Sequence, residues 1–146
     1  LRIEGYRNAL KSKGIDINEK LIRHTKNNEN IQVIENGYKL MNELLESGEE
    51  FTAVYSISDS MAIGACKAIL DSGKRIPQDY SVVGFDGLDI TYYYNPSITT
   101  IRQPVEAMAR ETTKILFDLI NNKATNQHKV FEAELVERES TLKLSK

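Results

Sequence analysis

Two polar side chains stand where apolar segments stop. Asp86 directly follows Ser81-Val82-Val83-Gly84-Phe85, and Ser58 directly follows Thr52-Ala53-Val54-Tyr55-Ser56-Ile57. If both segments are buried parallel strands, these side chains lie just beyond strand carboxyl ends, where open α/β sheets bind small molecules. A carboxylate there can accept two hydrogen bonds from vicinal hydroxyls in a geometry that water does not match. The alternative for Asp86 is a turn residue that bonds its own loop. Asp59 precedes Ser60-Met61-Ala62 and reads as a helix cap, worth about 1 kcal/mol.

Other chemistries find less support. The glycines form neither a G-x-G-x-x-G nor a Walker pattern, so phosphate cradling is disfavoured. His24 and His128 lie far apart in polar segments, and Cys66 falls between Ala65 and Lys67 on an apolar helical pattern. That distribution suggests no metal site, no Cys-His nucleophile pair and no cofactor. Asp59, Asp86 and Asp89 could form a phosphoacceptor cluster, but the early acidic pair and lysine loop such a cluster requires are not evident.

The elements that must position Ser58 and Asp86 follow from periodicity. Ile3, Tyr6 and Leu10 recur at helical spacing and Gly14 is a stop, so a first helix ends near Lys13. Leu21-Ile22 is compatible with a short strand. From Ile31 onward, Ile34, Tyr38, Met41 and Leu45 mark a second helix closed by Ser47-Gly48. Residues 52–57 form a β-branched, aromatic strand. Met61, Ala65, Ile69 and Leu70 give a third helix, stopped at Ser72-Gly73 and kept from resuming by Pro77. Residues 81–85 are the clearest buried strand. Helix-length connections between strands imply parallel neighbours joined by right-handed crossovers.

Between Phe85 and Ile98 runs a loop rich in Asp, Gly, Tyr and Asn, long enough to expect a task. Thr99-Thr100-Ile101 is a further strand, and Val105, Met108, Thr112, Ile115 and Leu119 lay out an amphipathic helix after Pro104. Phe131, Ala133 and Leu135 alternate with glutamates as a last strand. The fold class is α/β, a parallel sheet flanked by helices.

Composition sets outer bounds. At 146 residues, 40% hydrophobic and 27% charged, the chain matches about one soluble globular domain. A net charge of -2 argues against a nucleic-acid surface. No apolar run approaches a membrane span, and a single cysteine requires no oxidising compartment, so the cytoplasm is expected. The chain opens on Leu1 inside a helical pattern, as a piece of something longer would.

Five segments, in order, resemble the effector-binding region of the lactose-repressor (LacI/GalR) family of transcription regulators. They are Arg2-Ile3-Glu4-Gly5-Tyr6, Ser58-Asp59-Ser60-Met61-Ala62-Ile63-Gly64-Ala65, Ile76 to Asp86, Pro96 to Pro104, and Leu135-Val136-Glu137-Arg138-Glu139-Ser140-Thr141. The resemblance covers nearly the whole chain. It implies a periplasmic-binding-protein-like fold of two lobes around a small-molecule cleft, mostly the carboxyl-terminal lobe being present. Residues 1–102 would be that partial lobe, 103–130 a helix and loop that pack in the amino-terminal lobe, and 131–146 a final strand and tail. The helix after Pro104 would then lack its partner, and a sheet missing its first strand would present an unpaired edge.

The same resemblance implies that Arg2, Ser58 and Asp86 contact a sugar or related metabolite. Arg2 would offer its rigid fork of donors, and Asp59 would stay structural. The aromatic ring that the family places near the second helix is missing from Lys26 to Gln32. Ile63, Tyr92 and Tyr94 would lie at a homodimer contact, the tyrosines joining an apolar face to a polar end; packing inside one chain is the alternative. Operator DNA would be met only through a helix-turn-helix domain outside this chain. A non-enzymatic, ligand-sensing piece of a repressor-type regulator is therefore expected. A solute-binding protein for sugar uptake is the second reading, and an enzyme of small-molecule metabolism the third.

Overall fold

The computed structural model describes residues 2–25, 33–123 and 128–143. Its elements are α1 (Arg2–Ser12), α2 (Val33–Glu46), β1 (Ala53–Tyr55), α3 (Asp59–Asp71), β2 (Ser81–Asp86), the single turn α4 (Ile90–Tyr93), β3 (Thr99–Arg102), α5 (Val105–Ile120) and β4 (Glu134–Val136). The strands form one sheet in the order β1-β2-β3-β4. β1, β2 and β3 run parallel, with Val54 opposite Val82 and Asp86 opposite Arg102, whereas β4 pairs antiparallel with β3.

The parallel α/β expectation is borne out, with three local corrections. Leu21 closes a 3-10 turn, Glu19–Leu21, instead of starting a strand, because the Asn18 side chain accepts the Lys20 amide and holds a turn there. The long loop after Phe85 contains α4, whose Tyr94 amide bonds the Ile90 carbonyl. The last strand is three residues long and begins at Glu134, so Phe131 and Ala133 lie outside the ladder. Ile31 and Gln32 lie outside the described residues.

Small side chains let the two main helices meet. Met41 of α2 packs with Ala62, Ala65, Cys66, Ala68 and Ile69 of α3, over Val82, Ile76 and Ile98. Gly37 faces the Met61 backbone and Gly64 faces the backbone of Ile34 and Tyr38, so the helices touch main chain to main chain. α3 ends where Gly73, at φ +78, turns the chain away.

The tail is locked into the sheet by polar contacts. Ser140 is fully buried; its hydroxyl donates to the Val82 carbonyl (2.6 Å) and accepts the Thr99 amide (2.8 Å). Arg138 donates to the Ile98 carbonyl at 2.9 Å. The closing motif with Arg138, Ser140 and Thr141 is thus structural, fastening the starts of β2 and β3.

α5 stands apart. None of its residues is buried, and Val105, Leu116, Phe117 and Ile120 are 55% to 66% exposed. It leaves the packed body through Gln103 and Pro104.

Candidate functional site

Because β1, β2 and β3 are parallel, their carboxyl ends share one edge of the sheet. Ser58 follows β1, Asp86 ends β2, and Gln103 follows β3. The three positions hold different relations to the backbone.

Ser58 is the N-cap of α3: extended at φ -151 and ψ 156, its hydroxyl accepts the Met61 amide at 3.2 Å. That corrects the expectation that Asp59 caps the helix. Ser58 is half-buried, and its hydroxyl, which here accepts, still has a proton to donate. Asp59 is structural, as expected, but by a different route. It is fully buried, with one carboxylate oxygen accepting the amides of Gly87 (2.8 Å) and Leu88 (2.7 Å) and the other accepting the Thr100 hydroxyl (2.6 Å). Gly84 makes room for it, since a Cβ there would overlap Asp59 Oδ1. The carboxylate also sits at the first residue of α3, where free amides favour negative charge.

That clamp holds the loop immediately after Asp86. Asp86 itself adopts φ 126, a conformation L side chains rarely take, followed by Gly87 at φ 83. Such strain costs on the order of 1–3 kcal/mol and concentrates at functional sites. The Asp86 side chain is 29% exposed. Its Oδ1 accepts Gln103 Nε2 at 2.8 Å, with Arg2 Nη2 at 3.8 Å. Among the described residues nothing bonds Oδ2.

Arg2 is held across the same edge. Its Nη1 donates to the Ile57 carbonyl at 3.0 Å, and its guanidinium lies 4.4 Å from the centre of the Phe85 ring. With 45% of its side chain exposed, further N–H groups face outward. Burial pushes the Tyr55 phenol above its ordinary pKa; Arg2 opposes that and Asp86 adds to it, so the ring lies within electrostatic reach of both. The structure therefore brings Arg2 and Asp86 together, and ties Ser58 to them through the Asp59 clamp.

Gln103, Phe85 and Tyr55 were not singled out by sequence. For Gln103 the signal was present: it follows a strand as Ser58 and Asp86 do. Lys26 to Gln32, where an aromatic ring is missing, lie outside the described residues. Ile63 and Tyr94 are half-buried and pack against the core, whereas Tyr92 is 63% exposed.

A cavity of about 470 Å³ adjoins this group, between β1 and residues 21–25, and is lined by Ile3, Tyr6, Leu40 and Met41 together with Arg2 and Tyr55. Neither Asp86 nor Ser58 lines it. Its walls are mostly apolar, and it follows the edge of β1 that has no strand partner among the described residues. The convergent polar groups, rather than this void, mark the candidate site.

Among the described residues no three His, Cys, Asp or Glu side chains are placed to hold a metal. Burial pushes the Cys66 thiol up to about 12, which keeps it protonated at neutral pH.

The family model for a periplasmic binding protein-like domain matches residues 1–141. The chain belongs to that family. Among its relatives, the HTH-type transcriptional regulator MalR of Clostridium butyricum is 43% identical over 139 residues, covering 95% of this chain and 40% of the regulator. A solved complex of the transcriptional regulator CelR with cellobiose matches this periplasmic-binding-protein-like domain at 33% identity and a TM-score of 0.85, over 95% of this chain and 41% of that one. A LacI family transcriptional regulator from Enterococcus faecium with bound ribose matches at 31% identity and a TM-score of 0.84, over 99% and 52%. The resemblance to LacI-type regulators read from the five motifs is borne out. The chain spans about two fifths of the length of the curated relatives it matches. No described helix is long and apolar enough to cross a membrane.

Proposed function

We propose that this domain senses a sugar or related polyhydroxylated metabolite for a repressor-type transcription regulator, with Asp86, Arg2 and Ser58 as its ligand contacts. The observation that carries the reading is the Asp86 carboxylate: strained, partly exposed, and with Oδ2 open to a hydroxyl donor while Oδ1 is held by Gln103. Arg2 supplies outward N–H donors 3.8 Å from that carboxylate, so one site offers acceptors and donors to vicinal hydroxyls. Sugars bound to two solved relatives support the ligand class.

In the whole protein the ligand shifts the population between two arrangements of lobes that differ in operator affinity. Residues 103–130 cross to the second lobe, which covers the apolar face of α5. Operator DNA is met through a helix-turn-helix domain outside these residues, in the cytoplasm. Ligand binding, not bond chemistry, is the task, and the relatives are regulators. A second copy docks at the face carrying Tyr92, with Ile63 and Tyr94 at its half-buried margin; sedimentation showing only monomer at high concentration counts against that contact.

The test is calorimetric titration of mono- and disaccharides, beginning with cellobiose and ribose, into the full-length regulator and its Asp86→Ala variant. Binding by the parent that the variant loses, with circular dichroism and melting preserved, is expected. Equal binding by both proteins, or no heat from any sugar at millimolar concentration, overturns the reading.

A further inference from the structure

The bond between Asp86 and Gln103 joins the candidate site to a helix with no buried residue, α5. On one side, Asp86 ends β2 and carries the open carboxylate oxygen. On the other, Gln103 occupies the short neck through which α5 leaves the sheet. Two bonds cross between them: Gln103 Nε2 to Asp86 Oδ1 at 2.8 Å, and the Gln103 amide to the Asp86 carbonyl at 3.3 Å. Gln103 in turn accepts the Val105 amide at 2.9 Å, and the Pro104 carbonyl accepts the Met108 amide at 3.0 Å, so the first turn of α5 is built on this neck. No residue of α5 is buried, so the direction of the helix depends heavily on how it is rooted.

We propose that Gln103 is a positioning residue through which occupancy of Asp86 is felt at the root of α5. This rests on Asp86 being a ligand contact. An unliganded carboxylate that is 29% exposed divides its lone pairs among Gln103, Arg2 and water. A hydroxyl donating to Oδ2 fixes the carboxylate plane, and a fixed plane holds Oδ1 toward the Gln103 amide. Ligand therefore tightens the neck. The effect needs no movement of the sheet, because β2 and β3 stay paired at Asp86 opposite Arg102. It also explains why a glutamine is useful here: its amide donates to the carboxylate while its own backbone continues into the helix.

The coupling is testable without ligand, by amide hydrogen exchange on the full-length regulator. Gln103→Leu keeps the side-chain bulk and the backbone amide but removes the donor. It is expected to speed exchange at Gln103, Val105 and Met108 about tenfold, the size of a lost hydrogen bond to a charged group. The Val82 amide, bonded to the Ser140 carbonyl in the body of the sheet, should be unaffected. Added to Asp86→Ala, Gln103→Leu is expected to change the neck less than about twofold further, since the shared bond is already gone. Exchanging donor and acceptor with Asp86→Asn and Gln103→Glu together should restore protection that each change alone loses. A purely structural glutamine would not show that rescue. Additive effects, or no rescue by the exchanged pair, overturn the coupling and leave sugar binding untouched. Absence of sugar binding with the Gln103 effects intact would instead remove the functional reading and, with it, the ligand-driven step, leaving Gln103 as a positioning residue for the neck alone.

Discussion

Replacing Asp59 with alanine should be among the most damaging single changes available to this chain. Its carboxylate is fully buried and accepts three hydrogen bonds, from the Gly87 and Leu88 amides and the Thr100 hydroxyl. Alanine removes all three acceptor contacts, leaving the Thr100 hydroxyl without a partner in the interior and the Gly87 and Leu88 amides without one in a partly exposed loop. Each orphaned group costs on the order of 1–3 kcal/mol, and partial relaxation or water entry lowers the sum, giving a loss of about 3–5 kcal/mol. Thr100→Val leaves the buried Asp59 Oδ1 without its donor and should cost about 1.5–3 kcal/mol, and its effect should shrink in the Asp59→Ala background because the two share a bond. Urea unfolding followed by far-ultraviolet circular dichroism measures both, with the slope checked for constancy. A loss below 1 kcal/mol for Asp59→Ala would refute the idea that this carboxylate organises the site edge.

Two further perturbations read other parts of the structure. Gly64→Ala should destabilise by up to about 3 kcal/mol, because the new methyl group overlaps the Ile34 carbonyl and meets the Tyr38 nitrogen at 2.7 Å. Gly5→Ala in α1 meets nothing within 4 Å and should stabilise by up to about 1 kcal/mol through helix propensity; equal thermal shifts of one sign would contradict the close approach of α2 and α3. The Arg75 side chain and amide hold the Asp79 carboxyl at about 2, below its ordinary 3.8. Its folded value is depressed, so the stabilisation is complete above the unfolded value and disappears as pH falls through about 2. Asp79→Asn should flatten the acid limb of stability between those values, and parallel limbs in wild type and variant would count against the pairing.

What was legible in the sequence was whatever depends on neighbours close along the chain. The apolar periods of α2, α3 and α5 and the β-branched run of β2 each declare themselves within one window, and the parallel sheet follows from the helix-length connections between them. Strand ends are also local, which is why Ser58 and Asp86 could be named before their surroundings were known. Leu21 misled because two apolar residues suit a strand and a 3-10 turn alike, and the Asn18 side chain decided between them.

Polar contacts that close over distance were not legible. Asp59 reads locally as a cap, yet its partners lie 28 to 41 residues away, and only the folded chain shows that Ser58 takes the cap and frees Asp59 for burial. The same holds for Gln103, whose partner Asp86 is 17 residues earlier. Thr100, Asp59 and Gly84 make sense only as a set: a hydroxyl to satisfy the carboxylate, and a missing side chain to admit it. A sequence window weighs each residue against its neighbours, whereas burial of a charge is decided by the sum of contacts from β2, β3 and the loop after them. The candidate-site edge of this domain is therefore specified by residues that look ordinary one at a time, and the strained Asp86 is tolerated because Asp59 fixes the loop that follows it.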